Sequence, residues 1–108
     1  MSNIAKTPSP PYYAVIFTSK RKEGDFGYEQ MSKKMVESVL KQDGFLGFES
    51  ARDEVGITVS YWRDMESIKR WKDEMEHQKA QELGKSIWYK RYRIRVAKVE
   101  KEYGFEAK

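Results

Sequence analysis

Residues 45–62, FLGFESARDEVGITVSYW, set the architecture from the middle of the chain outward. Phe45–Ala51 (FLGFESA) and Ile57–Trp62 (ITVSYW) are rich in aromatic and β-branched residues, and Asp53-Glu54-Val55-Gly56 between them is turn chemistry. Two strand-forming runs joined by a short Gly-containing turn read as a β-hairpin. On the N-terminal side, Tyr28, Met31, Met35 and Val39 recur at steps of three, four and four, which keeps them on one stripe of a helix. Asp25 is its expected N-cap, and Asp43-Gly44 is expected to end it, because Gly accepts the left-handed conformation at C′. On the C-terminal side, Asp64 caps a second helix with Met65, Ile68, Trp71 and Met75 on its inner stripe. That stripe resumes, offset, at Ala80, Leu83, Ile87 and Trp88, which predicts a kink or break around Asp73–Glu76.

Further out, Tyr12–Ser19 (YYAVIFTS) is apolar on both alternating faces and reads as a strand buried on two sides. Lys20–Asp25 turns the chain after it, and Tyr89–Val99 forms the last strand. The order β-α-β-β-α-β predicts an α+β domain of the ferredoxin-like, split-βαβ type: a four-stranded antiparallel sheet with helices on one face. Residues 1–11, with Ser9-Pro10-Pro11, read as a flexible N-terminal arm, 12–105 as the domain and 106–108 as a short tail.

The face turned away from the helices is too apolar to meet water. The first strand offers Tyr12, Ala14 and Ile16 on one side and Tyr13, Val15 and Phe17 on the other. The third offers Ile57, Val59 and Tyr61 opposite Thr58, Ser60 and Trp62. A patch of that kind usually marks an interface, and a two-fold homodimer joining sheet faces covers it.

Composition narrows the chemistry. The 108 residues make one domain, able to bury roughly 60–70% of its unfolded surface. There is no Cys, which excludes disulfides, thiolate metal sites and a cysteine nucleophile, and a single His, His77, excludes a His-rich metal site. No metal and no cofactor site is expected. No apolar run nears the roughly 20 residues that span a bilayer, and the N-terminus lacks the pattern of a signal peptide, so the cytoplasm is the expected location, with no membrane partner. The net charge of +4 permits a nucleic-acid partner without demanding one.

Gly44-Phe-Leu-Gly-Phe-Glu-Ser, Ile57-Thr-Val-Ser-Tyr-Trp, Ser67-Ile68 to Trp71 with His77, and the run from Trp88 to Glu100 together resemble the antibiotic biosynthesis monooxygenase superfamily. The likeness covers about Tyr13 to Phe105, and the tail looks like that of a bacterial subgroup of largely uncharacterised members. The resemblance implies a dimeric α/β barrel. It also implies candidate chemistry, since the superfamily includes monooxygenases that oxidise polyketide phenols without metal or flavin. Its haem degraders carry a strand-one Asn, a helix Trp and a His ten residues later. Trp71 matches the Trp, but Phe17 and Gln81 stand at or near the other two positions, which argues against haem degradation.

His77 is the one side chain whose unperturbed pKa lies near neutrality. If it lines a pocket between helices and sheet, it can deprotonate or orient a phenolic substrate; otherwise it is a polar residue at a helix break. Trp62, Trp71 and Trp88 can box a flat ligand or can simply be core, and core spacing favours the latter for Trp71. Phe17, Phe48 and Tyr92 lie on strands that would floor or wall the pocket, and contact a ligand only where a cavity exists.

Arg91, Arg93 and Arg95 alternate along the last strand and share one face. They read as a phosphate-tracking stripe, as charge paired across a dimer seam with Glu49, Asp53 or Glu54, or as a solvated edge. The third strand lacks the Gly-aromatic signature of RNA-recognition domains, which argues against a nucleic-acid partner. The leading expectation is a cofactor-independent monooxygenase for a small aromatic or polyketide-like substrate. The competing one is a non-catalytic dimer that binds a small hydrophobic molecule, in stress or metabolite handling.

Overall fold

The computed structural model describes residues 4–77 and 87–107, apart from the side chains of 76 and 77. Its elements run β1 (Tyr12–Arg21), α1 (Tyr28–Leu40), β2 (Phe45–Arg52), β3 (Val55–Trp62), α2 (Met65–His77) and β4 (Tyr89–Val99). The strands form one antiparallel sheet in the order β2-β3-β1-β4, the ferredoxin-like arrangement expected from the sequence. β1 and β3 are the two inner strands, and β1 is apolar on both faces because the helices lie over one and residues 4–11 run over the other.

Register assigns the two faces. Phe17 pairs with Thr58 and with Ile94, and Phe48 pairs with Ser60, so these side chains share the helix-facing side. Ile16, Val59, Tyr61 and Arg95 share the opposite side. There, Tyr12 and Ala14 are buried, and Tyr12 meets Tyr61 edge to face at 5.8 Å. Residues 4–11 run over this outer face: the Ala5 N–H donates to Glu49 Oε2 at 2.9 Å, and Thr7 Oγ1 lies 2.9 Å from the Tyr12 hydroxyl. Tyr12 also donates to Glu102, beyond the end of β4.

Element ends differ from expectation in ways that pairing explains. β1 continues two residues past Ser19, because Lys20 still finds partners in Val55 and Arg91. β3 begins at Val55, so only Asp53-Glu54 turn the hairpin, closed by the Asp53 N–H on the Val55 carbonyl at 3.2 Å. Gly27, in a left-handed conformation, is the residue at the start of α1, yet the Asp25 carboxylate still receives the N–H groups of Gly27 and Glu29 at 2.9 and 3.2 Å. At the other end α1 stops at Leu40, short of Gly44. Gly44 has φ +87° and instead serves a close approach, since a Cβ there would overlap the Ser67 side chain. Met65, expected inside, is 50% exposed, and Ile87 is exposed as well. α2 runs through His77; Ala80 and Leu83 lie outside the described residues.

Asp64 does cap α2. Its Oδ1 accepts from the Ser67 N–H at 2.8 Å and from the Ser67 hydroxyl at 2.7 Å. Those bonds, the hydroxyl first, lower its carboxyl pKa from 3.8 to about 2. A depressed carboxylate contributes stability above its unfolded pKa and loses it as pH falls through the folded one. Asp64→Ala is therefore expected to lower the melting temperature near neutrality by roughly 4–8 °C. The gap to wild type should close between pH 3.8 and about 2, as thermal melts across that interval would show. A gap that stayed constant to pH 2 would rule out the ionised cap.

Candidate functional site

The helices do not pack flush on the sheet. Between them lies a cavity of ≈760 Å³, within the range for small-molecule sites. Its origin is legible in the alternation of β3, which sends only Gly56, Thr58 and Ser60 toward the helices before Trp62. Small side chains at the centre of the sheet leave room that β1 and β4 border with Phe17, Tyr92 and Ile94. The stripe of α1 supplies Met31, Met35 and Val39 as the roof, and α2 adds Ile68, Trp71 and Met75.

One end is an aromatic nest. Phe17 lies 5.5 Å from Tyr89 and 5.4 Å from Tyr92, and Tyr28 stands edge-on to Tyr89 at 5.9 Å and to Trp88 at 6.0 Å. Trp88 is locked by its indole N–H on the Phe26 carbonyl at 3.0 Å. The Arg21 guanidinium lies 3.5 Å over the Tyr28 ring and donates to the Trp88 carbonyl at 3.1 Å. At the opposite end Trp71 stacks on Trp62 at 6.3 Å, and Trp62 meets Phe45 at 5.3 Å.

Charge in the cavity is one-sided. Arg52 and Lys72 line it, and no carboxylate does among the described residues. The Tyr89 phenol is held well above its ordinary pKa, chiefly by burial and then by its hydrogen bond with Tyr28 at 3.5 Å, while Arg52 and Arg21 pull the other way. It stays a neutral donor at physiological pH.

The model of the antibiotic biosynthesis monooxygenase family matches residues 11–83, about two thirds of the chain. The chain belongs to this family. It is 50% identical to the uncharacterised protein YqjZ of Bacillus subtilis over 98% of this chain and 95% of that one. It is 30% identical to the jasmonate monooxygenase ABM of Pyricularia oryzae over 81% of this chain, spanning 43% of that larger protein. SnoaB, a cofactor-independent oxygenase from Streptomyces nogalater, has a similar fold: TM-score 0.71, 8% identity, 84% of this chain and 95% of SnoaB.

In this family member, Phe17, Phe48, Trp71, Trp88 and Tyr92 all reach the cavity wall. Trp62 does not reach the wall: it stands behind Trp71, fully buried, with its indole N–H on Ser60 Oγ at 2.9 Å. The three Trp therefore form no single box, Trp62 and Trp71 being paired at one end and Trp88 at the other. His77 is the last residue of α2, two positions after the lining Met75, and its side chain lies outside the described set. Arg91, Arg93 and Arg95 are exposed on the outer face of edge strand β4. Glu49, one expected partner for them, is occupied by the Tyr61 hydroxyl at 2.5 Å and by Ala5.

Sequence reasoning passed over Arg52, Lys72, Tyr28 and Tyr89 as site residues. Arg52 was available by parity: it is four residues from Phe48 on the same strand and so faces the same way. Reading the turn as beginning at Asp53 hid it, because a residue beside a turn carries no obvious face.

Proposed function

We propose that this protein is a cofactor-independent monooxygenase whose substrate, a small electron-rich aromatic or polyketide-like molecule, binds in the cavity between helices and sheet. The aromatic-walled ≈760 Å³ space in a member of the monooxygenase family carries this reading. A phenol-activated methylene can supply its own electrons. Loss of a proton gives a carbanion that adds O₂; the resulting hydroperoxide then loses water, so that CH₂ and O₂ become C=O and H₂O. The protein has to bind and orient the ring, take the proton and stabilise the anion. Phe17, Phe48, Trp71, Trp88 and Tyr92 form the wall, Trp62 backs it, His77 at the end of α2 is the base, and Arg52 and Lys72 favour the anion.

The working unit in this proposal is a cytoplasmic homodimer joined through the outer sheet face. Ile57 on that face is 46% exposed in the single chain, and Tyr103 and Phe105 after β4 are 93% and 90% exposed.

Oxygen uptake with 1,8-dihydroxyanthrone, measured above the protein-free rate, tests the enzyme. His77→Ala is expected to cut turnover by about 10²–10⁴-fold while tryptophan quenching still reports binding. Unchanged turnover in that variant removes His77 as the base. A second reading, a non-catalytic binder of small hydrophobic molecules, is favoured by the absence of any carboxylate among the described lining residues. Binding of the anthrone with no uptake above background would select it.

A further inference from the structure

The cavity lining carries two cations and, among the described residues, no counter-charge. The chain contains 17 Asp and Glu, yet among the described residues none lines the cavity, whereas Arg52 and Lys72 do. Arg52 is the better organised of the two cations. Its side chain crosses the place where Gly56, its cross-strand partner, lacks a Cβ: an added carbon there would overlap Cζ and Nη2 of the guanidinium. From that cradle Nη2 donates to the hydroxyl of Ser19, a residue only 2% exposed on β1.

Among the described residues Arg52 takes part in no ion pair; the cations that do are Lys33, Arg63, Lys69 and Arg70. The other N–H groups of Arg52 meet no acceptor among the described residues, and its charge reaches the Tyr89 phenol. An exposed guanidinium anchored on Ser19, with donors left open beside a mostly apolar wall, suits a planar anion with two oxygens.

We infer that Arg52, cradled by Gly56 and anchored on Ser19, is a carboxylate-binding subsite, so that the ligand of this cavity is a hydrophobic acid with its apolar body against Phe17 and Tyr92. This rests on the cavity being a ligand site, as proposed above, and not on turnover.

Calorimetric titration with naphthalene-2-acetate and with 2-naphthaleneethanol, a neutral molecule of nearly the same shape, tests it at pH 7. The wild-type chain is expected to bind the acid about ten- to a hundredfold more tightly than the alcohol. Arg52→Met should bring the acid down to the affinity of the alcohol and leave the alcohol unchanged, and Arg52→Lys should keep part of the preference. Equal affinities in the wild type overturn the subsite, and so does a preference that survives Arg52→Met. Failure of both probes to bind overturns it together with the ligand-cavity reading. A preference for the acid without oxygen uptake supports the subsite and removes only the oxygenase.

Discussion

Trp62→Ala is expected to destabilise this protein by about 3–5 kcal/mol, the cost of truncating a large buried ring. Trp62 is fully buried at the point where β3 leaves the sheet, and it joins three parts of the fold. Phe45 at the start of β2 meets its ring edge-on at 5.3 Å, Trp71 of α2 stacks on it at 6.3 Å, and Ser60 accepts its N–H at 2.9 Å. Truncation removes the contact that holds α2 to the sheet beside a space that is already open. Partial collapse of Trp71 into the gap would recover some of the loss and would also deform the cavity wall. Urea denaturation should show the midpoint falling sharply, with Trp62→Phe losing far less because a ring remains between Phe45 and Trp71. A loss below about 1 kcal/mol for the alanine variant would show that α2 is held elsewhere, since typical surface substitutions cost about 0.5 kcal/mol or less.

Sedimentation of the wild-type chain at micromolar concentration is expected to give twice the mass of one chain, and Ile57→Lys to return it to one. Ile57 pairs with Thr18 and Ala51 and projects from the outer face at 46% exposure. A two-fold axis sets the same patch on both copies, so the substitution places a cation on each side of the seam. Ile57 has only its exposed 46% left to bury, roughly 0.7–1.4 kcal/mol per copy, so losing two weakens association by about ten- to a hundredfold before the cost of the added charges. The structure also limits how much face a partner has to cover. Residues 4–11 and Glu102 already shelter Tyr12, so the open part lies toward Val55 and Ile57 at the hairpin end. A well-folded wild-type chain that sediments singly would end the dimer proposal.

Much of the fold was legible because local periodicity and global architecture agree. Alternation in 57–62, three-and-four spacing in 28–39 and the Asp64 cap each name an element, and their order admits few topologies. Where expectation slipped, longer-range partners had decided. Lys20 continues β1 because Val55 and Arg91 are there to pair with it, and Gly44 is reserved for Ser67 and not for the end of α1. The wall residues Phe17, Phe48, Trp71, Trp88 and Tyr92 were named from strand and helix faces. Trp62 was misplaced onto that wall because the same face that floors the cavity also packs solid where Phe45 and Trp71 converge on it.

The sequence by itself determined the order of elements, the two faces of the sheet and the aromatic character of the site, since these follow from residue type and spacing along one chain, and its motifs carried the resemblance to the family. Only the tertiary structure decided that a cavity stays open above Gly56, Thr58 and Ser60, and that Arg52 reaches across Gly56 to Ser19. Those facts depend on how side chains from strands 33 residues apart share one volume, and no local pattern encodes a shared volume.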